Sequence, residues 1–320
     1  MPEIPADAAY MNRAVQLAVR GMGRTRPNPP VGAVVVKGGR IVGEGWHRKA
    51  GGDHAEVAAL KKAGAAAKGA TVFVTLEPCS KPGRVGACTD ALISAGVAKV
   101  VYAVDDPNPK NRGKAKRALA KAGIECERFA GDKGIDADCN WLIAGFRKHV
   151  LTGLPYVIVK IAMSLDGKIC DDWGDAKWIS SPKMRKRTSG ELRNMVDAIM
   201  VGGETVRRDN PSLLSHGKRH DELVRVVVSR SGNIPRDAQI FTDGAPNETI
   251  VFDDAKRALV ELGKRGITSV LCEGGLNLAT SLAEQGLVDE WMTILCPKVI
   301  GKRRIGDAAT IGKFECLLDS

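Results

Sequence analysis

Four residues in the first part of the chain could do chemistry together: His54, Glu56, Cys79 behind a proline, and Cys88. Imidazole and thiolate are soft-metal donors. One His and two Cys occupy three corners of a zinc tetrahedron and leave the fourth for water, the pattern of a catalytic rather than a structural site. Zinc lowers the pKa of such a water to about 7, and a carboxylate that stands close without being a ligand can carry the proton to a leaving amine. The order His-x-Glu then Pro-Cys is that of zinc-dependent nucleobase deaminases, whose usual spacing is C-x-x-C. Here eight residues separate Cys79 from Cys88.

These groups can converge only if particular elements hold them. Side chains two apart on a helix diverge by about 200°, so His54 and Glu56 share a site only if His54 stands at a helix N-terminus, with Asp53 as the expected cap. The sequence predicts a helix over 54–67, a buried strand over 71–75 that delivers Cys79, and a helix over 89–95 just after Cys88. Both sulfurs then lie where a strand end meets a helix N-terminus, which favours thiolate. A helix over 8–20, strands over 31–36 and 41–45 broken by Gly38-Gly39, a strand over 97–104 and a helix over 114–123 complete an α/β sandwich of roughly five strands. After Gly153-Leu154-Pro155 a second series begins. It has strands over 156–162, 197–201, 223–228, 249–252, 269–272 and 288–296, and helices over 182–195, 255–265 and 278–285. This half has no G-x-G-x-x-G after its first strand, so an ordinary dinucleotide-binding turn is unsupported. Gly202-Gly203 and Gly274-Gly275 do follow strands, where backbone amides can approach a phosphate.

Composition bounds the rest. The 320 residues suggest two domains, and 44% hydrophobic with 27% charged residues excludes disordered, collagen-like and coiled-coil classes. The net charge of +11 is uneven: residues 1–149 hold 24 Lys and Arg against 14 Asp and Glu, whereas 150–320 hold 24 against 23. A surplus confined to the half with the zinc motif points to an anionic partner, a nucleic acid or a phosphorylated metabolite. Eight cysteines are too sparse for a disulfide scaffold. No run approaches the ~20 apolar residues of a membrane span, and Met1–Tyr10 has no secretory pattern. A cytoplasmic chain with reduced thiols and no membrane partner is expected.

The longer cysteine spacing, read with its surroundings, resembles the bifunctional deaminase–reductase family of riboflavin biosynthesis. The matching stretches are Pro27-Asn28-Pro29-Pro30-Val31-Gly32, His54-Ala55-Glu56, Thr75-Leu76-Glu77-Pro78-Cys79-Ser80, Gly83-Arg84 before Cys88, and Asp106-Pro107-Asn108-Pro109. In the second half they are 160–168 (KIAMSLDGK), Trp178-Ile179-Ser180-Ser181, Thr205-Val206, Asp209-Asn210-Pro211-Ser212-Leu213, Glu273-Gly274-Gly275 and Leu287-Val288-Asp289-Glu290.

The resemblance implies a cytidine-deaminase-like three-layer sandwich over 1–149 and a dihydrofolate-reductase-like domain over 150–320. It implies one zinc ion on His54, Cys79 and Cys88, with Glu56 catalytic, and NADPH in the second domain. The substrate would be a diaminopyrimidinone carrying ribose 5-phosphate, deaminated first and then reduced from ribosyl to ribityl. Asn28 would hold the base or sugar, and Lys81, Arg84 or Lys110 the phosphate. Ala162, Trp178, Thr205, Asp209, Arg230, Gly275, Leu276, Asn277, Leu278, Ala279, Thr280 and Ser281 would line the cofactor. Arg193, Leu213, His216 and Glu273 would face the substrate, and Asp209 would assist proton delivery.

The chain departs from the family at Lys81, at Val85-Gly86-Ala87, at Ala176 where Ser is common, and at His216 where Arg is common. The last two positions usually serve the substrate, and an imidazolium lacks the bidentate fork of Arg. A homo-oligomer, dimer or tetramer, is expected. The competing reading is a deaminase for another nucleotide or for tRNA with a degenerate second domain. It predicts the short cysteine spacing and no reductase-like half, and the sequence has neither.

Overall fold

The structure is a computed structural model and describes residues 6–80, 86–174, 179–215, 222–302 and the strand residues 309–310. The chain forms two compact units, Met1–Pro155 with Gly263–Thr268 and Tyr156–Leu262 with Ser269–Ser320.

In chain order the first unit contains α1 (Ala6–Val19), β1 (Gly32–Lys37), β2 (Arg40–Trp46), α2 (Ala55–Ala63), β3 (Thr71–Leu76), α3 (Cys88–Ala95), β4 (Lys99–Val104), α4 (Lys114–Lys121), β5 (Glu125–Arg128), α5 (Lys133–Leu142) and α6 (Ala144–Thr152). The strands form one sheet in the order β2-β1-β3-β4-β5. β1 runs antiparallel to β2 and β3, whereas β3, β4 and β5 are parallel.

Glycines set how the helices lie on this sheet. A Cβ on Gly45 would stand 2.4 Å from the Ala55 carbonyl oxygen and the Ala59 amide nitrogen, so α2 lies directly against β2. A Cβ on Gly32 would instead meet the Ala14 carbonyl oxygen of α1 at 2.0 Å. Gly45 pairs with Ala33 and Gly32 with Trp46, so the two glycines face opposite sides of the hairpin. The sheet is therefore sandwiched between α1 and α2. Its core includes Met11, Leu17, Val34, Val74, Leu92 and Val100, all buried.

The second unit contains β6 (Tyr156–Ser164), α7 (Pro182–Arg187), α8 (Arg193–Met195), β7 (Ala198–Gly202), α9 (Gly203–Asp209), β8 (Val224–Val228), α10 (Gln239–Thr242), β9 (Thr249–Phe252), α11 (Ala255–Lys264), β10 (Ser269–Cys272), α12 (Leu276–Glu284) and β11 (Glu290–Cys296). Its six strands follow the order β11-β6-β10-β7-β8-β9, and every neighbouring pair is parallel. β7 and β8 are buried along nearly their whole length, as parallel strands covered on both faces must be. The expected single helix over 182–195 is interrupted: Thr188–Leu192 is one π-helical turn between α7 and α8.

Candidate functional site

His54 is the N-cap of α2, in extended conformation (φ −69°, ψ 163°), with Glu56 inside the first turn. The change of backbone conformation at His54 lets both side chains reach one cavity. Asp53 is not the cap that the sequence predicts. Its carboxylate pairs with Lys61 at 2.6 Å, its carbonyl accepts from His47 Nδ1 at 2.9 Å, and α2 has no side-chain cap. Cys79 follows β3, and Cys88 is the first residue of α3, its backbone N–H donating to Cys79 Sγ at 3.3 Å.

The three donor atoms converge. Cys79 Sγ lies 3.3 Å from Cys88 Sγ, and His54 Nδ1 lies 3.1 Å from Cys88 Sγ and 3.6 Å from Cys79 Sγ. Zn–S and Zn–N bonds of ordinary length at tetrahedral angles put sulfurs about 3.8 Å apart and sulfur about 3.6 Å from nitrogen. The donor set fits zinc with a small outward relaxation. Hydrogen bonds from Cys88 and His54 hold the Cys79 thiol below its ordinary range. Glu56, 3% exposed, is the opposite case: burial and the nearby Cys79 push its carboxyl up. That suits a group which must hold and release a proton.

The cavity over this centre measures about 210 Å³ and is lined by Asn28, His47, His54, Glu56, Cys79, Asp106, Asn108, Asn111 and Phe146 among others. The expected Asn28 is therefore present. His47 was not foreseen, because a single His at a strand end carries no spacing signal. It is buried, and desolvation lowers its pKa. With Nδ1–H donating to the Asp53 carbonyl, Nε2 is left to accept from Asn28 Nδ2 at 3.1 Å. That bond turns the other end of the amide, the acceptor Oδ1, away from His47.

Glu77 belongs to the motif around Cys79, yet its role is legible only in the structure. Its buried carboxylate accepts from the backbone amides of Asp106 at 3.2 Å, Gly113 at 3.0 Å and Ala115 at 3.3 Å. Of the basic residues expected at the phosphate, Lys81 and Arg84 lie outside the described residues. Lys110 is exposed and does not line the cavity.

In the second unit a cavity of about 830 Å³ lies at the C-terminal ends of β6, β7 and β10, where ligands of open parallel sheets bind. It brings together Ala162, Arg193, Thr205, Asp209, Glu273, Gly275 and Leu276 of the expected residues, and adds Lys160, Arg185, Lys186, Thr188 and Ser189. Gly274 is required where β10 ends: a Cβ there would stand 2.8 Å from Leu278 Cδ2 and 3.3 Å from the Gly202 amide nitrogen.

Arg193 and Glu273 are paired with each other, Nη2 to Oε2 at 2.8 Å and Nε to Oε1 at 3.4 Å. Arg193 Nη1 also donates to the Leu214 carbonyl at 2.7 Å. Burial raises the Glu273 pKa, but the charges of Arg193 and Lys160 outweigh it and hold the carboxyl below its ordinary value. Other expected residues stand off the cavity. Leu213 is packed in the core at φ 57°, and Arg230 is exposed beyond β8. Leu278 and Ala279 are buried in α12, whereas Asn277 and Thr280 are exposed and Ser281 binds the Gln285 side chain. Trp178, Ala176 and His216 lie outside the described residues.

Residues 5–104 match the family model of the cytidine and deoxycytidylate deaminase zinc-binding region, and residues 155–315 that of the RibD C-terminal domain. The riboflavin biosynthesis protein RibD of Escherichia coli (strain K12) is 37% identical over 98% of this chain and 94% of its own. That of Synechocystis sp. is 38% identical over 92% of this chain and 86% of its own. The chain belongs to the RibD family.

Among solved structures, Acinetobacter baumannii RibD superposes with a TM-score of 0.80 at 36% identity, covering 98% of this chain and 93% of that one. A Thermotoga maritima protein described as diaminohydroxyphosphoribosylaminopyrimidine deaminase/5-amino-6-(5-phosphoribosylamino)uracil reductase gives 0.83 at 35% identity, covering 93% and 89%. RibD enzymes join a zinc-binding deaminase to a reductase in riboflavin biosynthesis, and this chain is a bifunctional enzyme of that kind. Its two matched regions set aside the reading of a tRNA deaminase with a degenerate second half. No helix among the described residues is long and apolar enough to cross a membrane.

Proposed function

We propose that residues 1–149 deaminate a diaminopyrimidinone ribose 5-phosphate and that residues 150–320 then reduce its ribosyl group to ribityl with NADPH, in the cytoplasm, in a homo-oligomer that takes no nucleic acid. The observation that carries the first step is the convergence of His54, Cys79 and Cys88 beside a buried, non-ligating Glu56. When bound there, zinc supplies the Lewis acidity that makes water a nucleophile near neutral pH. Glu56 takes that water's proton and passes it to the amine, which leaves as ammonia while the ring carbon gains a carbonyl oxygen. Asn28, oriented through His47 by the Asp53 carbonyl, offers its Oδ1 to the substrate. Phe146 and the Asp106–Asn108 loop close the remaining wall.

In the second domain Ala162, Thr205, Asp209, Gly275 and Leu276 would hold the cofactor in the cavity they line. NADPH supplies the hydride. Asp209, at the end of α9, delivers a proton as the sugar ring opens, and the Arg193–Glu273 pair fixes the base and ribose hydroxyls. One assay tests both steps. The diaminopyrimidinone ribotide is supplied with NADPH, and ammonia release, NADPH loss and zinc content are measured on the same sample. One zinc per chain with equimolar ammonia and NADPH turnover is expected. Ammonia without NADPH oxidation refutes the second step, and neither product refutes both.

A further inference from the structure

One stretch of the first unit comes from the second half of the sequence. Gly263–Thr268 runs from the end of α11 to the start of β10, yet it belongs to the compact unit that holds the zinc donors. Ile267 and Thr268 are buried.

This segment is moulded to α6 at three points. A Cβ on Gly145 would stand 2.8 Å from the Thr268 carbonyl oxygen. His149 Nε2–H donates to the Gly263 carbonyl at 2.9 Å. A Cβ on Gly263 would stand 1.9 Å from the carbonyl oxygen of Gly153, the left-handed residue that ends α6. Positions 145, 149 and 153 are four apart and form one stripe along the helix. Glycine at 145 and 263 is what admits backbone at this range. α6 itself buries no residue fully and has no side-chain N-cap. Arg147 Nη2 ties it to Asn140 Oδ1 of α5 at 2.5 Å, but its seat is set by backbone contact rather than by side chains in the core.

Both structures that the segment touches carry residues of the deaminase cavity. Phe146 follows Gly145, stands one turn before His149 on the helix surface, and lines that cavity. On a different side, a Cβ on Gly266 would stand 3.4 Å from Pro27 Cβ, and Asn28, the next residue, lines the same cavity. Phe146, His149 and the segment all lie outside residues 5–104, the part matched by the deaminase family model.

We propose that Gly263–Thr268 is a positioning element of the deaminase site, which holds Phe146 through α6 and Asn28 through Pro27. Substrate binding in the first domain thereby depends on six residues contributed by the reductase half of the sequence, with His149 the positioning residue that joins them to α6. This rests on the deaminase reading above and adds residues to it.

The test uses His149→Leu, which removes the hydrogen bond, and Gly145→Ala, which forces the two backbones apart. Each is expected to raise the KM for the diaminopyrimidinone ribotide about 2- to 10-fold, the range of one neutral hydrogen bond. Turnover at saturation stays within about twofold, as expected when only substrate binding is weakened, and zinc stays at one per chain. His149→Gln returns an N–H to the Gly263 carbonyl and restores the parent KM. Met11→Ala, a truncation of a buried side chain on α1, lowers the urea midpoint of ammonia release and leaves KM unchanged, which separates positioning from stability.

Hydrogen exchange of the zinc-loaded, substrate-free full chain reads the hold without turnover. Peptides over 26–31 and 144–153 exchange faster in His149→Leu and Gly145→Ala, whereas those over 54–63 and 88–95 keep the parent rate. An unchanged KM in both variants, a KM that His149→Gln fails to restore, an equal rise in Met11→Ala, or unaltered exchange would each overturn the positioning role. A parent that releases no ammonia while the two peptides respond overturns the deaminase reading and leaves the hold on Phe146 and Asn28 standing.

Discussion

Arg225 is the most exacting test of how the reductase unit is held together. It lies on β8 with its side chain 3% exposed, and Asp243, at 8%, faces it with Nη1 to Oδ2 at 2.5 Å. Nη1 also donates to the Ser212 carbonyl and Nη2 to the Asn247 carbonyl, each at 3.0 Å, while Nε has no partner among the described residues. Asp243→Ala therefore leaves a buried guanidinium with two carbonyls and no counter-charge. Breaking a buried pair from one side costs about 3–5 kcal/mol, against a total domain stability of about 5–15 kcal/mol. The unfolded fraction of the unit rises on the order of 10²- to 10⁴-fold. Ser212 sits in the segment between Asp209 and Leu213, so the reductase is the activity that fails.

In a urea titration read by NADPH oxidation and ammonia release from the same tubes, the reductase midpoint falls while the deaminase midpoint stays. The double substitution Arg225→Met/Asp243→Leu removes both charges and recovers most of the loss, because an apolar pair of similar volume carries no desolvation penalty. A loss under about 1 kcal/mol for Asp243→Ala, or a double variant as unstable as the single, would refute the reasoning.

Four further outcomes are expected. Glu56→Gln keeps one zinc per chain by mass spectrometry but lowers ammonia release about 10²- to 10⁴-fold, the contribution of a general acid–base; zinc loss in that variant would make Glu56 a ligand instead. Chelation of zinc abolishes ammonia release and leaves NADPH oxidation of the aminouracil ribotide intact; a parallel loss of both would tie the metal to both activities. Glu273, whose folded pKa is depressed, contributes stability above its ordinary value of 4.5 that is lost as pH falls through the folded value. Glu273→Gln should accordingly lower the urea midpoint at pH 7, with the gap narrowing below pH about 4.5, and a gap independent of pH would contradict the ion pair. Burial pushes Cys126 to about 11, Cys139 to about 12 and Cys272 to about 11. These stay thiols, so iodoacetamide at pH 8 should modify half-exposed Cys170 and spare them in the native enzyme, as peptide mapping will show.

Much of the site was legible in the sequence because metal ligation constrains residue type and order directly. His54, Glu56, Cys79 and Cys88 could be placed on a helix start, a strand end and the next helix start, and the structure brings the four together. What stayed hidden was held by backbone. The cap on α2 is absent because Asp53 is committed to Lys61, a preference no local rule anticipates. α5 and α6 escaped notice because α6 buries no residue fully and so shows little periodicity. Asp132, which caps α5 by accepting from Gly134 and Ile135, was the available signal. The π-turn was invisible for a different reason. Thr188, Ser189 and Gly190 are weak helix formers, but weak propensity does not distinguish a π-turn from an α-turn, and that choice is made by tertiary packing.

Glu77 leaves the deaminase with a single pin through two walls. It stands two residues before Cys79, its amide donates to the Val104 carbonyl at the end of β4, and its carboxylate gathers amides from Asp106 and from the first turn of α4. The turn that carries a metal ligand and the loop that carries the substrate wall thus move as one body. Slackening that pin would leave the three zinc donors in place while the wall opposite drifts. Occupancy of the metal and competence of the active site are therefore separate properties of this domain, and a preparation full of zinc can still be inactive.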